Sequence, residues 1–520
     1  MNKIFSFLLL ILVPVFLHAN PIGLQQYSFV LFDDNVTSGQ IEPGFMNVIT
    51  ETEYNNEKYI QSGLSNLYKD QNFVLMLLPS QFYSSYNSLH PYGYNDNSLW
   101  QGKGVNFYGT SGFVAKYRKN IEITVKPEVS YSQNVHFDLV NSLYDTYEYG
   151  YLIKQIDLPQ RFGDSGFYNI GWGQSELRFQ YNAFTAGIGT QNIWLGPTHF
   201  NSLLLSNSAA GFPHLDLGIR KLHTKLGDIE ARVFYGVLEE SDYFSSDTSD
   251  DERVFSLLSV SYTPNFWKEF TIGAHRSIQG NINAADWSFF LMPVDIRMTG
   301  GSTDSGASAY GADYFDQRIS LTFKWKFPKH NMSFYGEWGR NDFVSNNRDL
   351  VQIPSHSQAF IIGGKKIFPI ADEKYVALTI EHTNLMQSRS YYLEDIYSSS
   401  FFYRHSKSTQ GYTHKGQMLG AGIGPGSVAE NLELRYVDNN KSYALLLNRH
   451  NKDADYVMSD TSTFENGSFF VELSMGGKFI YQFDDFSVEA GLLYLNTFGY
   501  NYVGGLHRNG FSGYFSFTLK

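Results

Sequence analysis

The residues best suited to chemistry in this chain are Tyr94, Asn95, Trp100, Arg161, Trp194, His199, Asn207, His214, Arg340, Asp342, Tyr412, His414 and Lys415. They combine aromatic rings, which present flat apolar faces, with amide, imidazole and guanidinium groups that make directional hydrogen bonds. Arginine adds a fork that holds a carboxylate at two points. This palette suits reversible binding through many modest contacts. It suits covalent catalysis poorly: no serine sits in a nucleophile elbow, and no histidine pair has metal-ligand spacing with a carboxylate partner. A triad is defined in space, so an embedded lipase or protease stays as an alternative. The chain has no cysteine, which removes disulfides and thiolate metal sites. No cofactor or metal is expected.

The elements that must position these residues are strands. In "IEITVKPEVSY", Ile121, Ile123, Val125, Pro127, Val129 and Tyr131 alternate with Glu122, Thr124, Lys126, Glu128 and Ser130. In "RISLTFKWKF", Ile319, Leu321, Phe323, Trp325 and Phe327 oppose Arg318, Ser320, Thr322, Lys324 and Lys326. Period two of this kind marks a strand with one apolar and one polar face. A soluble sandwich turns the apolar face inward, and a transmembrane barrel turns it to lipid. The connections decide. Tight ones at 119–120, 226–228, 264–267, 328–331, 438–441 and 483–485 alternate with long Gly- and Ser-rich ones at 134–172, 190–213, 239–252, 277–314, 340–357, 385–428, 450–467 and 497–510. Short turns on one side and long loops on the other are the asymmetry of an outer-membrane barrel.

The expected fold is therefore all-β, a large antiparallel transmembrane barrel of about eighteen strands, an even number as closure requires. It begins near residue 71 with "QNFVLMLLPSQFYSSY" and ends with "FSGYFSFTLK", whose Phe511, Phe515, Phe517 and Leu519 face lipid. Residues 1–19, with Lys3 before the apolar run Ile4–Leu17, read as a secretory signal peptide. Residues 20–70 read as a small periplasmic segment, partly helical, because Tyr59, Ile60, Gly63, Leu64, Leu67 and Tyr68 recur at helical spacing. A formal net charge of −12 argues against a nucleic-acid partner.

Several long connections carry recurring signatures: "HPYGYNDNSLWQGKG" (90–104), "LPQRFGD" (158–164), "WLGPTHFNSLLLSNSAAGFPHLDLG" (194–218), "YGEWGRND" (335–342) and "GYTHKGQMLGAGIGPGS" (411–427). In this order and spacing they resemble the capsule assembly Wzi family over roughly residues 57 to 520. The resemblance implies an outer-membrane barrel whose folded loops close the exterior mouth. It also implies a lectin-like role, holding capsular or other surface polysaccharide without cutting it. Its partners would then be that polysaccharide and outer-membrane lipid. A porin or sugar channel shares the fold and is the rival reading.

A polysaccharide offers hydroxyls and apolar C–H faces, which the residues named at the outset can meet. Each also has a structural alternative. Trp194, Leu203, Leu204, Leu205 and Phe212 are expected to form an apolar core where the loop enters the mouth. His214 and His414 suit hydrogen-bonded structural roles, and Arg340 and Asp342 suit a mutual pair. Asp250, Asp251 and Glu252 suit a solvated loop tip, with Ca2+ uptake as the alternative.

Overall fold

The computed structural model describes residues 27–57, 64–140, 148–294, 315–341, 355, 357–387, 401–459 and 468–519. The stretch read as a signal peptide and Asp342 lie outside them. Eighteen antiparallel strands form a closed barrel. The last, His507–Leu519, pairs with the first, Phe73–Asn87, from Ser512 against Asn87 to Leu519 against Ser80. Closure follows from the solvent: where lipid offers no hydrogen bonds, every backbone N–H and C=O must be met within the sheet.

Side-chain alternation then sorts the two walls. Glu122, Thr124, Lys126, Glu128 and Ser130 are buried inside, while Ile121, Ile123, Val129 and Tyr131 are exposed on the outer surface. That strand is split into Ile121–Val125 and Glu128–Ser132 around Pro127, which has no N–H for the ladder, yet the alternation continues across the break. In Phe315–Phe327 the exposed residues include Ile319, Leu321 and Trp325, whereas Arg318 and Ser320 are fully buried. An apolar exterior around a charged interior is the arrangement of a wall that faces lipid. Near the short turns, Trp267 stacks on Phe270 at 4.3 Å and meets Trp325 edge-on at 5.3 Å, as in an aromatic girdle at headgroup level.

One expectation fails upstream. Ser65–Lys69 is a strand and not part of a helix, and 58–63 lie outside the described residues. The last strand reaches only as far as Ser80, so the inner end of the first strand would be left with an open edge. Ser65–Lys69 supplies the missing partner, from Ser65 against Leu77 to Lys69 against Val74. An open edge outweighs a weak helical spacing of Leu and Tyr. The helices of this region are α1 (Tyr27–Thr37) and α2 (Glu51–Asn55), the second capped by Thr50, whose side chain accepts from Glu53 N at 3.2 Å.

Both helices enter the barrel from the short-turn end and bring counter-charges to its interior. Asp34 meets Arg435 at 2.8 Å and Lys365 at 3.0 Å, and Asp33 meets Lys324 at 3.1 Å. Glu53 meets Arg220 at 2.6 Å and Arg232 at 3.2 Å. Arg232 continues to Asp216 (2.5 Å), and Asp216 to Arg178 (2.6 Å) and onward to Glu176 (2.5 Å). The barrel interior thus carries two sets of ion pairs, one around Asp33 and Asp34 and one running from Glu53 to Glu176.

Candidate functional site

The end opposite the short turns is filled by the loop 190–213. Trp194–Leu195 pairs with Val48–Ile49, so this loop and the N-terminal segment meet inside the barrel. Leu195, Leu203, Leu204, Leu205 and Phe212 are buried in one apolar cluster, as expected for the triple leucine. The irregular backbone around them is possible because barrel side chains replace water as its partners. Glu381 accepts from the N–H groups of His199 (2.7 Å), Phe200 (3.1 Å) and Asn201 (2.9 Å), and Glu337 accepts from Leu203 N at 2.9 Å. Arg253 donates to the carbonyls of Gly411 (2.7 Å) and Thr413 (2.8 Å). Gly211 lies where two arms of the loop cross: a Cβ there would stand 1.8 Å from Thr190 O.

The structure divides the residues singled out from the sequence. Asn95, Arg161, Trp194, His199, His214, Arg340, Tyr412 and His414 are buried. Asn95 donates to Phe200 O at 2.8 Å and accepts from Ser208 Oγ at 3.1 Å. Arg161 binds Asp164 at 2.7 Å and Asn134 O at 3.1 Å. Tyr412 stacks on Tyr403 at 5.7 Å beneath the guanidinium of Arg318, 4.3 Å from the ring centre. His214 Nδ1 lies 2.8 Å from Phe212 O, and His414 Nδ1 is 3.0 Å from the N–H of Glu239. Asn95, Arg161, Tyr412, His214 and His414 thus have partners within the loops, and Asn95 also lines a cleft beside Tyr94. Arg340 is on the opposite face of Met332–Asn341 from Glu337, so it points away from the plug. Of the expected solvated tip, Glu252 is exposed while Asp250 and Asp251 are half-buried; these two cluster with Glu240, and Gln410 donates to Glu240 at 2.7 Å and to Asp250 at 3.2 Å.

Tyr94, Trp100, Asn207 and Lys415 keep exposed surface. Asn207 lines an inner cavity of about 120 Å³ beside Trp194. Tyr94 and Trp100 line a second cleft, of about 190 Å³, among the long loops; Leu158, Ser208, Gln417 and Gly422 complete its wall. Four of the quoted signatures therefore converge on one cleft. Tyr94 is fixed by its hydroxyl, 2.9 Å from His450 Nδ1, and by an edge-on contact with Tyr92 at 5.6 Å. Trp100 is braced by Phe162 at 4.9 Å. Lys415 stands next to the cleft but is engaged by Glu239 at 3.2 Å. Asp96 and Gln101 also line the cleft, Asp96 accepting from Gln101 Nε2 at 2.6 Å. Both sit inside the "HPYGYNDNSLWQGKG" signature beside Tyr94, Asn95 and Trp100, and that signature is the signal that could have found them.

Burial raises the pKa of several loop carboxyls. Asp96 is pushed up to about 8, Glu240 to about 7 and Asp453 to about 6, and Asp157 is raised as well. Each binds its proton more tightly folded than unfolded, so folding is favoured in acid and this contribution is lost as pH rises from about 4 to about 8. Amide exchange in 90–104 and 240–251 is expected to quicken over that window beyond the intrinsic base-catalysed rate. Protection that stays constant would contradict the assignment.

A closed barrel with an apolar outer wall, a charged interior and a loop-filled mouth defines a plugged barrel of the outer-membrane type. The chain belongs to the capsule assembly protein Wzi family, whose family model matches residues 84–480. Among solved structures it is similar to Wzi of Escherichia coli, described as an outer-membrane protein involved in group 1 capsule assembly and a carbohydrate-binding β-barrel. The TM-score is 0.55 at 10% identity, covering 96% of this chain and 94% of that one, which shows the shared fold. OccAB1 of Acinetobacter baumannii matches with a TM-score of 0.39 and 11% identity over 88% and 98% of the two chains, too distant in shape to carry an argument. Comparison with the curated proteins gives no match.

Proposed function

We propose that this chain is an exported outer-membrane protein that binds surface or capsular polysaccharide and helps attach it to the cell, without cutting it. The observation that carries this is the cleft walled by Tyr94, Trp100 and amide side chains, set among the long loops of a filled barrel. Aromatic faces suit the C–H side of a sugar ring, and amides suit its hydroxyls. One such contact is modest; a polymer engaging many copies of the protein is retained by the sum. A porin reading is disfavoured by the ion pairs and leucines that occupy the interior.

The test is binding of purified surface polysaccharide to the detergent-solubilised protein. Saturable binding is expected, with Trp100→Ala weakening it about tenfold, as for a central aromatic anchor. Equal binding by the folded variant would move the site elsewhere. Polymer shortened after prolonged incubation would overturn the non-enzymatic part of the proposal.

A further inference from the structure

We infer that residues 282–294 form a flap against the outside of the barrel, whose apolar edge embeds among the acyl chains of the outer leaflet. Side-chain alternation identifies the wall beneath it. Phe234, Phe255 and Leu257 belong to the apolar cluster of the plug, so their neighbours Tyr235 and Val254 point outward. Gln279 faces inward, donating to Gly411 O at 2.8 Å and to Asp316 at 2.9 Å, so Ile278 and Phe315 point outward as well. Outward side chains on these strands are otherwise exposed, as Val260, Ile272, Ile319 and Leu321 are. Ile278 and Phe315 are instead buried in a cluster with Phe289 and Met292 of the flap, and Tyr235 and Val254 pack against it.

The flap is fastened from the wall side. The Tyr235 hydroxyl donates to Phe290 O at 2.7 Å, and Phe289 stacks on Phe315 at 5.7 Å. Arg276, an outward cation, donates to Met292 O at 2.7 Å and to Gln317 at 3.0 Å, so the flap buries a charge that lipid would not solvate. The other side of the flap is apolar: Trp287, Phe290, Leu291 and Val294 are 70%, 56%, 42% and 64% exposed. A patch of this kind marks a contact surface, and its height names the partner. Ile278 is eight positions beyond Phe270 of the inner aromatic girdle. At about 3.4 Å per residue and a tilt near 40°, that is roughly 20 Å along the membrane normal. The apolar band of such a barrel is about 25 Å tall, so the flap meets its outer edge and continues the lipid-facing wall. Tryptophan favours this level, which also tolerates the exposed Asp286 that caps the turn Trp287–Phe290.

The chain has no cysteine, so a single nitroxide can be placed where it is wanted. Phe290→Cys and Val294→Cys are spin-labelled in the full-length protein, checked for folding by heat-modifiable gel mobility and reconstituted into phosphatidylcholine vesicles. Leu321→Cys on the bare wall and Ser249→Cys on the neighbouring loop serve as references. Power saturation compares collisions with oxygen, which concentrates among acyl chains, and with a water-soluble nickel chelate. Both flap labels are expected to meet oxygen more than nickel, like the Leu321→Cys label, and the Ser249→Cys label the reverse. Flap labels that favour nickel would place the patch in water and overturn the inference. Shielding from both reagents, with dipolar broadening between labels, would give the patch to a second copy of this chain and overturn it equally. Nickel access at the Leu321→Cys label too would remove the lipid-facing wall itself, and the inference with it.

Discussion

Replacing residues 197–210 with a short glycine linker is expected to convert a silent barrel into a conducting one. Eighteen strands enclose enough room for an aqueous channel unless something fills it. This loop does so, through Leu203–Leu205 and the backbone amides that Glu381 and Glu337 receive. Without it those carboxylates lose their partners and water takes their place. In planar bilayers the intact protein should give no stable steps, and the variant should raise the current roughly tenfold or more above that background. A large, stable current from the intact protein would show that the mouth is open and return the porin reading to first place.

The second large effect concerns the interior charges. Asp216 is fully buried and is shared by Arg178 at 2.6 Å and Arg232 at 2.5 Å. Asp216→Asn leaves two buried guanidinium groups short of charge, and breaking a buried pair of this kind costs about 3–5 kcal/mol. The heat-modified mobility shift on gels should occur at a clearly lower temperature than for the parent protein. Because the pairs are buried, added salt should change this little. A shift temperature unaltered by the substitution would mean that Glu176 and Glu53 suffice for both arginines.

How much of this was visible in the chain depends on the range of the interactions concerned. Strands such as 121–131 and 318–327 were legible because alternation is local and lipid enforces it residue by residue. Asn182 and Glu373 stand in tight turns with φ of 53° and 57°, and nothing in the identity of Glu373 announces a hairpin there. The strand Ser65–Lys69 could not be read because its cause is the short reach of the final strand, more than four hundred residues away. The triple leucine was recognisable as a core, but its wall partners Glu337 and Glu381 looked like any other interior charges. Tyr412 and His414 have the chemistry of ligand contacts but are buried among the loops, since burial is set by which loops meet, whereas Asn95 also lines the cleft. Trp100 and Tyr94 stayed at the surface, and Asp96, two residues from Tyr94, completes the cleft with them.

The most direct measurement is made on cells. With the gene deleted, surface polysaccharide should move from the cell-bound fraction to the medium. Return of the intact gene should restore it, whereas a Tyr94→Ala, Trp100→Ala double variant present at normal level should not. Polysaccharide that stays fully attached in the deletion strain would contradict a role in retention.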